Sequence, residues 1–181
     1  MSLTIELPVR PDQTAFNLKR WDEVLAEPHY AKLDGTFETD RFGHVLHMPP
    51  PSFQHGRLQR HLATTLERLM SGGETVTECP VSTPDGVKGI DVVWLTDRQL
   101  AKAGNHSCLP FAPSICVEIK SPGNTPAELS EKKALYFAAG ATEVWICDEE
   151  GKISFFASSS ADDTMESSLL CPDFPGSIAL D

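Results

Sequence analysis

Long apolar runs are missing from this 181-residue chain: none approaches the ~18 residues needed to cross a bilayer. Its first residues, MSLTIELPVRPDQ, lack both a basic start and a continuous apolar stretch, so no secretory leader is expected there. Cysteine is sparse and irregularly spaced. The five are Cys79, Cys108, Cys116, Cys147 and Cys171, with no CxxC or CxH pattern, which argues against a disulfide framework or a zinc site. Cys116 and Cys147 sit in apolar runs and read as small core residues, and a reducing, cytoplasmic setting follows. Basic residues are also short, 15 Lys plus Arg against 26 Asp plus Glu, for a net charge of −11. That balance excludes a surface that binds nucleic acid or anionic membrane indiscriminately. The deficit is uneven, however: the first 70 residues carry 8 basic and 9 acidic groups, the remainder 7 and 17. A local basic site in the first part therefore stays open. A Walker-type glycine loop, a GxSxG elbow, a recognition helix and a zinc-finger pattern are all absent, so no competing chemistry or base readout is indicated.

What is present is an ordinary globular composition, 40% hydrophobic and 23% charged, in a length that one compact core can serve. A helix is expected from Thr14 to about Glu27, stopped by Pro28, with Phe16, Trp21, Val24 and Leu25 on its apolar side. TFETDRFGHVLHM reads as a hairpin bent at Asp40 to Gly43, ended by Pro49 to Pro51. Phe53 to Met70 is the clearest helix, its stripe made by Leu58, Leu62, Leu66 and Leu69. Three strands separated by loops are expected next: Thr75 to Cys79, Ile90 to Leu95 and Ser114 to Ile119. A helix opened by Pro126 runs to Ala139, followed by strands at Glu143 to Cys147 and Lys152 to Ala157. From Ser158 on, the chain is Ser- and Asp-rich with weak periodicity and reads as a partly mobile tail. The organisation expected is a single domain with an N-terminal extension (1–32), a core (33–157) and an acidic C-terminal segment (158–181). The fold class is α/β (α+β), a mixed central sheet flanked by helices.

Two apolar strands are interrupted by charge: Ile90-Asp91-Val92-Val93-Trp94-Leu95 and Ile115-Cys116-Val117-Glu118-Ile119-Lys120. Glu118 and Lys120 are two apart and so point to one side of a strand. Charges there are costly to desolvate and need partners. One reading pairs them with each other. The sharper reading has Asp91 and Glu118 holding a divalent metal with Lys120 near the scissile group, as phosphodiester hydrolysis requires: hard carboxylate oxygens for the ion, and a cation to orient the attacking water and offset phosphate charge.

Asp91 followed by Glu118-x-Lys120 on the next strand resembles the PD-(D/E)xK nuclease motif. More specifically, the chain is similar to the Uma2 family of bacterial endonucleases from about Leu33 to Glu150. The resemblance is carried by Gly35-x-Phe37-Glu38, Met48-Pro49-Pro50, His55-Gly56, Asp91-Val92-Val93, Val117 to Pro122, Glu131-Lys132-x-x-x-Tyr136 and Ala139-Gly140-Ala141-x-Glu143-x-Trp145. It implies a restriction-endonuclease-like fold and a Mg2+- or Mn2+-dependent site. Carried over by position, Glu38 matches the amino-terminal acidic residue, Asp91 the motif aspartate and Glu118 the motif glutamate. Ile90 stands where the family usually has proline. Many members lack the lysine two after the glutamate and use the helix lysine; both Lys120 and Lys132 are present here, and Lys120 is favoured because its strand position fixes it beside Glu118. By analogy with nucleases of this fold, a homodimer is expected.

The plainer alternatives stand beside these. Glu38 reads equally as an exposed strand residue, and Lys132 as a surface partner of Glu128 four residues earlier. His55 reads as a cap or packing histidine; His44 and His47 are assigned no role. Arg57, Arg60 and Arg68 share one helix, with His61 and Thr64, and offer weak, salt-sensitive phosphate contacts if that face borders the cleft. The function expected is metal-dependent endonucleolytic hydrolysis of DNA, with no membrane involved. The alternative is a non-catalytic nucleic-acid or protein binding module that keeps the fold.

Overall fold

The structure, a computed structural model, describes residues 11–180. The first ten residues, on which the absence of a leader was read, lie outside the described residues. The elements are α1 (Gln13–Ala26), β1 (Thr36–Thr39), β2 (Val45–Met48), α2 (Phe53–Leu69), β3 (Gly73–Thr83), β4 (Gly86–Thr96), α3 (Asp97–Ala103), β5 (Ile115–Ile119), α4 (Pro126–Ala138), β6 (Glu143–Cys147) and β7 (Ile153–Ala157). β3 to β7 form one sheet in chain order, antiparallel except for β5 beside β6, which α4 connects in parallel. The mixed sheet flanked by helices agrees with the expected class.

Strand alternation divides the core. Val92, Trp94, Ile115, Val117 and Ile119 face the α2 leucines Leu58, Leu62 and Leu66, all at most 1% exposed. Val93, Leu95 and Cys116 face the other way, onto Tyr136 of α4. α4 begins with a capping box between Thr125 and Glu128, with Pro126 in its first turn. α2 begins at Ser52, whose hydroxyl accepts from the His55 amide at 3.2 Å.

β3 and β4 are far longer than expected, 11 residues each, joined by a tight turn at Pro84-Asp85. The polar residues that ended the expected strands are instead paired and covered by the β1–β2 hairpin and α1. Gly86, at φ +89°, lets that cover come close: a Cβ there would lie 2.3 Å from the Thr39 carbonyl oxygen. Thr39 Oγ1 accepts from the Val87 amide at 2.9 Å, and Lys88 Nζ donates to the Thr39 carbonyl at 3.1 Å. The fully buried Asn17 of α1 donates to Ser82 Oγ and the Thr83 carbonyl, each at 2.9 Å. These bonds seat the hairpin on β4 and so fix where Glu38 points. The short α3 was not foreseen; its seven residues show little apolar period, and its signal is the Thr96–Gln99 capping box.

The C-terminal segment is the clearest departure from expectation. Cys171, Phe174 and Ile178 are buried in the α2-side core, not loose in solvent. Glu143, wholly buried, anchors the segment by accepting from Ser168 Oγ at 2.7 Å, from the Leu169 and Leu170 amides at 2.8 Å each, and from Trp145 Nε1 at 2.8 Å. Spaced apolar residues and one buried acceptor hold a stretch whose composition suggests mobility. The five cysteines are all free and buried. Among the described residues, no helix is long and apolar enough to cross a membrane.

Candidate active site

At the end of β5 next to α4, a cavity of about 140 Å3 gathers residues that lie far apart in the chain. Glu38, His55, Glu78, Asp91, Glu118, Ser121, Asn124 and Lys132 are in its wall. Each reaches it for a local reason. Glu118 shares the α4-facing side of β5 with Cys116. Lys132 and Tyr136, four apart on α4, present one helix face to it. His55 and Gln59, one turn apart at the start of α2, reach over the middle of β4.

The carboxylates are individually held. Lys132 Nζ lies 3.2 Å from both Glu38 Oε1 and Glu118 Oε2. Tyr136 donates its hydroxyl to Glu118 Oε1 at 2.5 Å, and the Gly89 amide donates to Glu38 Oε1 at 3.3 Å. Asp91 Oδ1 is 3.1 Å from His55 Nε2, and Asp91 Oδ2 accepts from the Ile119 amide at 2.7 Å. Gln59 Nε2 bridges the Glu78 carboxylate at 2.6 Å and the Asp91 carbonyl at 2.9 Å. The β3–β4 register passes from Thr77–Val92 to Cys79–Ile90, and the intervening Glu78–Asp91 pair drops out of the ladder. Glu78 takes φ +51°, the one positive φ of a residue other than glycine among the described residues. Such backbone is costly for a side-chain-bearing residue and clusters at functional sites.

Burial raises the Glu118 carboxyl to about 7, with the Lys132 charge pulling the other way and the Asp91 and Glu38 charges adding to the rise. Burial alone would lower the Lys132 ammonium; the Glu118 and Glu38 carboxylates overcome it and raise it above its ordinary value. The hydrogen bond to Asp91 raises His55, against burial. Burial lifts the Tyr136 phenol well above its usual range.

Among the described residues, one group of side chains has the spacing to hold a cation. His55, Glu78 and Asp91 each offer an atom within 4.8 Å of the others. Asp91, Glu118 and Glu38 line the same cavity. Carboxylate oxygens suit Mg2+ or Mn2+, and an imidazole nitrogen suits the latter better.

The sequence-predicted residues Glu38, Asp91, Glu118 and Lys132 are thus brought together. Lys120 is not: β5 ends at Ile119, and Lys120 lines a neighbouring cavity with Ser52, Leu58 and Glu149, on the α2 side of the sheet. Its expected place beside Glu118 required one more strand residue than the chain supplies. Glu38 is 4% exposed, not a solvent-facing strand residue, and Lys132 bridges carboxylates instead of serving as a surface partner. Arg60 and Arg68 are exposed on α2, and Arg57 lies 6.0 Å from the Phe53 ring centre; none of the three lines the carboxylate cavity. Sequence reasoning gave no role to His55, Glu78, Gln59 or Tyr136. His55 and Tyr136 stood within the motifs, whereas Glu78 sits in a polar strand that offers no signal.

Comparison with known proteins bears on this geometry. The family described as "Uma2: Putative restriction endonuclease" matches residues 21–175. The chain belongs to the Uma2 family. Among solved structures, it is similar to "a putative nuclease belonging to DUF820 from Anabaena variabilis ATCC 29413", with a TM-score of 0.59 and 16% identity over 75% of this chain and 80% of that one. At that identity the likeness concerns the fold. No curated protein matches the chain. The Uma2 match spans every residue of the carboxylate cavity, from Thr36 to Lys132.

Proposed function

We propose that this Uma2 protein is an endonuclease that hydrolyses DNA phosphodiester bonds with Mg2+ or Mn2+. The observation that carries the reading is the convergence of Glu38, Asp91, Glu118 and Lys132, from four separate elements, on one cavity. The donor set fits a divalent cation, since its carboxylate oxygens are hard and Asp91, Glu78 and His55 offer atoms within 4.8 Å of one another. Asp91 and Glu118 would hold the ion, with Glu38 beside them and His55 and Glu78 completing the Asp91 side. When bound, such an ion polarises the phosphate and lowers the pKa of water.

The chain's own residues do the positioning. His55 and the Ile119 amide fix the two oxygens of Asp91. Tyr136 fixes one oxygen of Glu118, leaving Lys132 on the other. Lys132, as an ammonium, orients the attacking water and offsets the charge that builds on the phosphate oxygens. We assign this role to Lys132 over Lys120, because Lys132 reaches both carboxylates. Arg57, Arg60 and Arg68 lie outside the cavity, so their contacts would be with flanking phosphates only, weak and reduced by salt. A cytoplasmic setting accords with five free cysteines, and a homodimer would let both strands be cut.

Calorimetric titration with MnCl2 and MgCl2 tests the reading. Binding is expected in the wild type and lost in Asp91→Ala; no binding by the wild type at millimolar metal would refute it.

A further inference from the structure

On the other side of β1 from the carboxylates lies a second cavity, of about 320 Å3, with Trp21, Val24, Tyr30, Phe37 and Pro80 in its wall. Alternation along β1 separates the two spaces: Glu38 turns into the carboxylate cavity and Phe37 into the second. They nevertheless meet, because Thr36, Glu78 and Gly89 line both. Their chemistry differs sharply. The first is ringed by ionisable groups; the second is aromatic and aliphatic, and Glu78 at the shared seam is its one charged residue among the described residues. Tyr30 and Phe37 stand 5.4 Å apart at 56°. Trp21, 7% exposed, keeps its indole Nε1 buried without a hydrogen-bond partner.

We propose that this second cavity receives one unstacked nucleobase of the strand whose phosphate occupies the carboxylate cavity. The inference rests on the hydrolysis reading above and narrows its substrate to DNA in which a base at the cut is unpaired or can be swung out. A base is flat, with π faces that stack on aromatic side chains whatever its identity. Among the described residues the wall holds no cation, which disfavours a phosphate there, so the backbone stays with Lys132. The volume is at the small end of the ~300–1,000 Å3 typical of ligand pockets and has room for a base. A base within a duplex cannot enter such a space without leaving the stack.

The test uses the full chain with Ca2+ in place of Mn2+ and reads binding of a fluorescent single-stranded oligothymidylate by anisotropy. The same backbone bearing abasic sites is the comparison. The base-bearing strand should bind about ten-fold more tightly, the gain of one base stacked on an aromatic wall. Ala31→Leu, which fills the cavity from an exposed position in its wall, and Tyr30→Leu, which removes a π face, should bring the two strands within about two-fold of each other. Their affinity for the abasic strand should not change. Equal binding of both strands by the wild type, or a preference surviving in Ala31→Leu, would overturn the proposal. Cleavage in Mn2+ is scored separately. Cleavage of the abasic strand at the full rate would remove the base pocket and leave hydrolysis standing. A base preference without cleavage would support the pocket and remove hydrolysis.

Discussion

Lys132 Nζ on α4 lies 3.2 Å from Glu118 Oε2 on β5, and the same nitrogen is 3.2 Å from Glu38 Oε1 on the hairpin. One ammonium thus ties the helix, the central sheet and the hairpin together at the point where the family motif residues meet. Removing it leaves Glu118, 5% exposed, without its cation and Glu38, 4% exposed, with only the more distant Lys88 at 4.0 Å. Breaking a buried pair costs ~3–5 kcal/mol, and the partial exposure of Lys132 discounts that to about 2–3 kcal/mol. In metal-free buffer, Lys132→Ala should therefore unfold at clearly lower urea than the wild type. Lys120→Ala, which breaks no ion pair shown in the structure, should change stability by less than about 0.5 kcal/mol. Equal losses in the two variants would contradict the pairing.

The raised Glu118 carboxyl gives a pH dependence of defined sign. Its folded-state value of about 7 exceeds the ordinary 4.5, so between those values the folded protein holds a proton that the unfolded chain has released. The contribution of this group to stability is present at low pH and fades as pH rises through 7. Denaturant unfolding in chelator at pH 5 and pH 8 should show wild type losing stability relative to Glu118→Gln. A difference between the two proteins that stays constant with pH would contradict the raised value.

Glu143 is a buried carboxylate with a structural task. Its four donors come from β6 and from the C-terminal segment. Glu143→Ala would strand the buried Trp145 and Ser168 donors, at a cost of about 3 kcal/mol or more. Limited proteolysis should then cut after residue 158, where the wild type resists. An unchanged digestion pattern would mean that the segment is held by its apolar residues alone.

That segment shows why part of the fold was legible and part was not. Leu58, Leu62 and Leu66 announce α2, since a 3.6-residue period needs no tertiary context. Asp91 and Glu118 stand out because charge in an apolar strand demands a reason. Phe174 and Ile178 carry no period, and only the shape of the surrounding core gives them their place. The ends of strands were the least legible. β3 and β4 continue through polar residues that the hairpin covers, while β5 stops one residue short of Lys120. Choosing between the two lysines depends on that single residue. Glu78 enters the site through a break in the ladder, which no local pattern encodes.

The most direct test of the central claim is cleavage of supercoiled plasmid and single-stranded DNA in Mn2+ by the wild type, Lys132→Ala and Lys120→Ala, prepared in parallel. The account predicts metal-dependent cleavage by the wild type, a loss of at least 100-fold in Lys132→Ala, of the order seen when one charge-stabilising donor is removed, and near-normal activity in Lys120→Ala. Cleavage undiminished in Lys132→Ala, or no cleavage by the folded, metal-loaded wild type, would contradict it.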